Sequence, residues 1–209
     1  MGIWRKRLAL LLVVLAMWFL GESAYMTAKA ELAQYLLQEA WQRHLKDGAE
    51  HRPWPWADTS PIARLVFPQQ DTKLVVLAGA SGRNLAFGPA HLSASVMPGQ
   101  LGVSVIGGHR DTHFAFLRHV QLGEQFLLQT ADGIKRKFEI VQIQVTDVRD
   151  SDILLQSQEP VLALVACYPF NALDSGGPLR YLVIARPVSN RIGSNWPTNT
   201  DTGYKGVIA

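Results

Sequence analysis

Cysteine is almost missing from this chain: Cys167 is the only one in 209 residues. A single thiol cannot close a disulfide within its own chain, nor build a multi-thiolate zinc site. Missing as well, beyond residue 7, is any run of Lys and Arg interleaved with aromatics, so the electrostatic footprint of a nucleic-acid binder is absent. The formal charge of +3 is matched by Arg5, Lys6 and Arg7 alone, and the remainder is roughly balanced. There is no internal repeat and no low-complexity segment. What remains, at 48% hydrophobic and 18% charged content, is long enough for one well-buried core and a short appendage.

One long apolar run is present. Arg5-Lys6-Arg7 precedes thirteen uninterrupted apolar residues, Leu8 to Leu20, followed by Gly21 and Glu22. At about 1.5 Å rise per residue this run is shorter than a hydrocarbon slab of about 30 Å, which favours a signal-peptide core. Stretched toward Met26, with Glu22 snorkelling, it becomes an uncleaved anchor. Ala28-Lys29-Ala30 has the small residues of a cleavage site but lies far from the end of the run. In both cases the positive cluster stays inside and the rest is exported. A buried core helix fits poorly beside the basic N-terminus.

Residues 28–44 carry a helical apolar stripe at Leu32, Tyr35, Leu36 and Ala40, expected to lift the following domain off the membrane. The Pro- and Trp-dense stretch 51–61 reads as an extended lead-in. Short runs rich in Val, Leu and Ile follow at 63–67, 73–79, 102–108, 124–130, 136–145, 161–167 and 180–188. Asp132-Gly133 between two of them is a strong hairpin signal. With only brief helical material, such as 112–120, the pattern predicts an all-β, closed or nearly closed barrel. The expected organisation is an anchor over 1–27, a helical stalk and lead-in over 28–60, the barrel over 61–188 and a polar tail over 189–209.

Cys167 ends a predicted strand, and Pro169, which cannot donate a ladder hydrogen bond, helps stop that strand. Taken alone, a lone cysteine is more often a small buried hydrophobe. Two other features change this reading. Gly107-Gly108 after the strand 102–106 allows a tight turn that delivers His109 to the barrel mouth, where an imidazole can donate or accept a proton. Arg180 opens the strand after that of Cys167, and antiparallel pairing sets it beside the thiol, able to stabilise a thiolate or an oxyanion. Other motifs fit less well. His109 and His113 have the spacing of a helical metal pair, but Arg110 stands where a zinc protease carries its glutamate. His-Arg-Asp opens a kinase catalytic loop, yet Phe116 occupies the place of the required Asn. A caspase-like hydrolase spaces His and Cys comparably, but Ala166-Cys167 is followed by Tyr168-Pro169 rather than by its signature. Asp111 is expected to cap a short helix near Thr112, His113 and His119 to satisfy local hydrogen bonds, and Trp54 and Trp56 to pack the lead-in onto the barrel.

With GHRDTHF at 108–114, ACYPF at 166–170 and RYLVIA at 180–185 in this order, the chain resembles the sortases over most of residues 52–188. The WPWAD stretch at 54–58 and LAFGPAHL at 85–92 resemble the Gram-negative subgroup, class GN, similar to class D. The family pattern Thr-Leu-x-Thr-Cys reads Ala163-Leu164-Val165-Ala166-Cys167 here, so both threonines are missing, with any substrate contact made through the hydroxyl next to the cysteine.

The resemblance implies an eight-stranded sortase barrel and a cysteine transpeptidase. Cys167 would attack a threonine carbonyl in an LPXTG-like C-terminal sorting signal of an exported protein. His109 would protonate the departing amine and help deprotonate the incoming one, and Arg180 would hold the oxyanion. The thioester chemistry needs no metal and no organic cofactor, and no acidic cluster demands calcium. The implied partners are the exported substrate, an amine acceptor and the membrane, with no nucleic acid. The implied location is the inner membrane, single-pass, with the catalytic domain on the periplasmic side. Two rivals stand beside this reading: a thiol peptidase in which water resolves the thioester, and a noncatalytic anchored barrel that binds a partner and buries Cys167 as packing.

Overall fold

Alternating apolar residues write strands wherever one sheet face must meet a core. In the computed structural model of this chain, whose described residues are 2–149, 157–172 and 177–188, eight strands form. They are β1 (Pro61–Phe67), β2 (Thr72–Ala78), β3 (Ala90–His91), β4 (Gly102–Gly107), β5 (Gln125–Thr130), β6 (Lys135–Asp147), β7 (Pro160–Cys167) and β8 (Leu179–Pro187). The sheet closes in the order β1-β2-β3-β4-β7-β8-β6-β5, with β5 returning to β1 through pairs such as Leu65 with Leu128. Closure gives every described strand a partner on both sides. The expected closed eight-stranded barrel is therefore what forms, and the seven apolar runs are seven of its strands. The expected tail, 189–209, lies outside the described residues.

The eighth strand, β3, is two residues long and carries no readable period. It bridges β2, which it meets in parallel, and β4, which it meets antiparallel. The predicted hairpin joins β5 to β6. Gly133 takes φ 77° and the Asp132 carboxylate accepts from the Ile134 N–H at 3.0 Å. The Arg136 guanidinium and the Thr130 hydroxyl hold that carboxyl well below the usual range.

Inside the barrel, Leu65, Phe67, Phe126, Leu128, Phe138, Ile140, Leu162, Leu164 and Val183 form one fully enclosed cluster. Phe67 stacks on Phe126 with ring centroids 4.3 Å apart. β4 and β7 are buried on both faces. Their other side, Val103, Val105, Val161 and Ala163, forms a second cluster with Leu182 and Ile184 of β8. Two differently packed faces fix the register, because a slip of one residue would exchange them.

Ahead of the barrel runs one continuous helix, α1 (Gly2–Asp47), with no break between the expected anchor and stalk. Its apolar N-terminal part is long and apolar enough to cross a membrane, and none of that stretch is buried. The C-terminal part does not stand free. It buries Ala33, Leu37, Ala40 and Trp41, and Leu37 and Trp41 pack against Val75, Leu77 and Ala90 of the barrel wall. The buried stripe is thus rotated from the one expected: Ala40 is in it, but Leu32 and Tyr35 face outward. The small Ala33 and Ala40 allow close approach, and Trp41, at 0% exposure, supplies the largest buried surface there.

Truncating Trp41 to alanine removes that anchor and leaves a cavity. Denaturant unfolding of the detergent-solubilised chain is expected to show a loss of about 3–5 kcal/mol. A loss below about 1 kcal/mol would mean that the helix does not brace the barrel.

Candidate active site

β4 and β7 lie side by side in parallel, paired from Gly102 with Pro160 through Gly107 with Val165. The Gly108 N–H extends the ladder by donating to the Val165 carbonyl at 3.0 Å. His109 and Cys167 each follow two residues after the last paired position. They therefore leave the sheet as neighbours, on strands about 4.7–4.9 Å apart. On the other side of β7, antiparallel β8 pairs Arg180 with Cys167 directly.

Alternation decides which face these groups occupy. Leu162, Leu164 and Ala166 point into the barrel, so Cys167 shares the outer side with Val161 and Ala163. Ile184 and Leu182 continue the same parity to Arg180, and His109 follows two residues after the end of β4. The outer cluster thus runs to a cysteine and an arginine, with a histidine in the turn after the neighbouring strand. Cys167 is a free cysteine and a half-buried residue, and His109 is exposed. The Arg180 guanidinium is steered by its own strand end, Nη1 donating to the carbonyls of Gly177 at 2.7 Å and Leu179 at 2.9 Å.

The turn carrying His109 is rigid for a reason other than the one expected. Neither Gly107 nor Gly108 has a positive φ. Gly108 is required by space: a Cβ there would lie 2.6 Å from the ring of Phe114, which is fully buried. The His109 carbonyl then accepts from the Phe114 N–H at 3.0 Å, closing the turn over the ring. Asp111 caps no helix. The short 3₁₀ turn Ala115–His119 starts from Phe114 without a side-chain cap, and Asp111 stands exposed with its carboxylate 3.5 Å from Arg110 Nε. Residues 109–114 form turns, so His109 and His113 are not the helical pair that a zinc site would use. Among the described residues no cluster of three or more His, Cys, Asp and Glu could hold a metal ion.

Three features were not visible in the sequence. Arg110 is 5% exposed, and its Nη2 donates to the Ala172 carbonyl at 2.8 Å, tying the His109 turn to the segment after Cys167. In the sequence it reads only as a charge beside a histidine. Tyr168, Phe170 and Tyr181 form an aromatic group behind the thiol, Phe170 meeting Tyr181 edge-on at 5.1 Å, and Arg118 lies 5.2 Å over the Phe170 ring. Ala166 lies in the interior cluster at 2% exposure. The missing hydroxyl at that position therefore concerns barrel packing and not the face that carries the sulfur.

The remaining expected groups divide. His113 bonds to the backbone of Ala86, and burial, with a smaller contribution from nearby His109, pushes its pKa down from 6.5. His119 is exposed. Trp54 packs edge-on against Phe87 at 4.9 Å, as expected of the lead-in, but Trp56 is 80% exposed and packs nothing away.

Comparison with known proteins places the chain in a family. The model of the sortase domain matches residues 65–188. The chain belongs to the sortase family. This sortase is 31% identical to Sortase D of Bacillus subtilis over 126 residues, which are 60% of its own length and 63% of the relative's. The class-D-like placement fits that match. Among solved structures it is similar to a Clostridium perfringens Sortase D5 transpeptidase, with TM-score 0.61, 22% identity, and 76% of this chain and 99% of that one covered. It is also similar to Sortase A from Corynebacterium diphtheriae, with TM-score 0.55, 27% identity and coverage of 68% and 66%.

His113 gives the sortase a pH dependence whose sign can be worked out. Its folded pKa lies below the unfolded value of 6.5, so as pH falls past 6.5 the unfolded chain takes up this proton first. The stability present above 6.5 is lost as pH falls through the folded value. Replacing His113 with Gln is expected to flatten the acid side of a melting-temperature profile below pH 6.5. Identical acid slopes for the two proteins would contradict the burial of this ring.

Proposed function

We propose that this sortase is a membrane-anchored cysteine transpeptidase that cuts an LPXTG-like sorting signal near the C-terminus of an exported protein. The observation that carries the reading is the pairing of Cys167 with Arg180, with His109 following the end of the adjoining strand β4. A thiol, a proton carrier and a fixed cation together meet the needs of acyl transfer.

In the reaction, the Cys167 thiolate attacks the substrate carbonyl, forming an S–C bond and pushing charge onto the carbonyl oxygen. Arg180 stabilises that oxyanion; a guanidinium carries its charge at any working pH. As the tetrahedral intermediate collapses the C–N bond breaks, and His109 delivers a proton to the departing amine. A second amine then attacks the thioester, gives its proton to His109 and releases the thiolate. The buried outer cluster of Val103, Val105, Leu182 and Ile184 holds the strand ends that carry the reacting groups in place. Arg5, Lys6 and Arg7 keep the N-terminus inside, α1 anchors the chain in the inner membrane, and the barrel works on the periplasmic side. Membership of the Gram-negative class GN belongs to the same proposal.

Incubation of the full chain with an LPXTG-type peptide tests this, with and without an added amine such as triglycine. A product carrying the amine is expected, and Cys167→Ala is expected to abolish it without lowering the melting temperature. Arg180→Ala is expected to reduce kcat by about 10²–10³-fold, the cost of losing one oxyanion donor. Hydrolysis alone, equal with and without amine, would refute transfer and favour a thiol peptidase.

A further inference from the structure

A cleft of about 460 Å³ lies between α1 and the lead-in, with Lys29, Leu32, Leu36, Trp54, Trp56 and Arg83 among its lining residues. Lys29, Leu32 and Leu36 follow helical spacing, so one side of α1 forms the cleft wall. That wall is continuous with the apolar segment below it. A hydrocarbon slab of about 30 Å takes about 20 residues of helix, which from Leu8 ends at Thr27. Lys29 is two residues further on, and Leu36 about 14 Å above that boundary at about 1.5 Å per residue. The headgroup zone adds about 5–7 Å on each side of the hydrocarbon. The lower half of the cleft thus opens where lipid headgroups lie.

The exposed side chains at this level suit such a surface. Trp56 is 80% exposed and Leu32 56%, an aromatic and an aliphatic side chain left largely uncovered by the described residues. Tryptophan and tyrosine concentrate at headgroup depth because an apolar ring with a polar tip is satisfied there. Two cations stand with them. Lys29 is at the cleft's lower end, and Arg83 is held only by Asp58, across an exposed gap of 3.3 Å. Exposed pairs of this kind contribute little, so Arg83 can turn to a stronger anion. Glu31 lies on a different side of the helix from Lys29.

We infer that this cleft is a seat for the membrane–water interface: Trp56 and Leu32 enter the headgroup zone, and Lys29 and Arg83 contact the phosphates of anionic phospholipid. The inference rests on the anchor reading of α1. It also gives the catalytic rim a fixed attitude to the bilayer. Arg83, Asn84 and Phe87 line the cleft, and between them in the chain lies Ala86, whose backbone receives the bond from His113 in the His109 turn.

Because Cys167 is the only cysteine, its replacement by alanine frees the full chain for a single nitroxide label. A label at Pro55→Cys, beside Trp56, is compared in lipid nanodiscs with one at Ile134→Cys. Residue 134 follows Gly133, which lies against Leu45, about 28 Å further along α1 than Met26 at about 1.5 Å per residue. In nanodiscs containing phosphatidylglycerol, the ratio of oxygen to aqueous nickel-chelate collision rates at residue 55 should exceed that at 134 by at least threefold. Trp56→Ser and the double variant Lys29→Glu, Arg83→Glu should each bring it down toward the control. Equal ratios at 55 and 134 in an inserted chain would overturn the seat and leave the anchor standing. A ratio unchanged by the double variant would overturn the phosphate contacts. A chain that fails to enter the nanodisc would overturn both readings.

Discussion

The register between three neighbouring strands is the constraint on which the rest of this structure depends. β7 lies in the middle, parallel to β4 and antiparallel to β8, and its last residue is the cysteine. A slip of one position would turn the sulfur into the barrel and leave the arginine facing a different neighbour. What prevents this is double-sided burial. Leu162 and Leu164 fill the interior while Val161 and Ala163 fill the outer cluster, so neither face tolerates the other's side chains or environment. The packing of a hydrophobic wall thereby sets the geometry of a polar site at its end.

Rigidity around that site comes from bonds linking segments distant in sequence. Phe114 occupies the space left by the absent side chain of Gly108, and Arg110 reaches across to Ala172. A guanidinium buried this deeply is costly to desolvate unless well bonded, so it is informative that Arg110 spans the two segments bearing histidine and cysteine. The aromatic group of Tyr168, Phe170 and Tyr181 closes the barrel behind the sulfur. The helix α1 extends the scheme to the domain as a whole, since Trp41 binds it to the barrel wall only a few turns after its apolar segment ends.

Much of this could be read in the sequence because it rests on short-range rules. Short runs rich in Val, Leu and Ile located seven strands, and Asp132-Gly133 located the hairpin between β5 and β6. The pairing of Cys167 with Arg180 followed from two adjacent strands joined antiparallel. What escaped depends on tertiary context. β3 has two residues and owes its existence to the strands on either side. The buried stripe of α1 was misplaced because the large side chains Leu32 and Tyr35 outweigh Ala33 in any pattern, whereas close packing at that turn takes the small one. Gly108 looked like a turn residue, yet its need is a ring that arrives from six residues away. Arg110 and the aromatic group have no local signature at all.

The central claim is that the sulfur of Cys167 is reached from solvent and made reactive by its two neighbours. The rate of its alkylation by iodoacetamide, followed by mass in the native and the urea-unfolded chain, tests this directly. The account predicts faster labelling in the native protein than in the unfolded one, and slower labelling after replacement of His109 or Arg180 by alanine. Native labelling slower than unfolded, and indifferent to both replacements, would show the thiol to be packing and contradict the account.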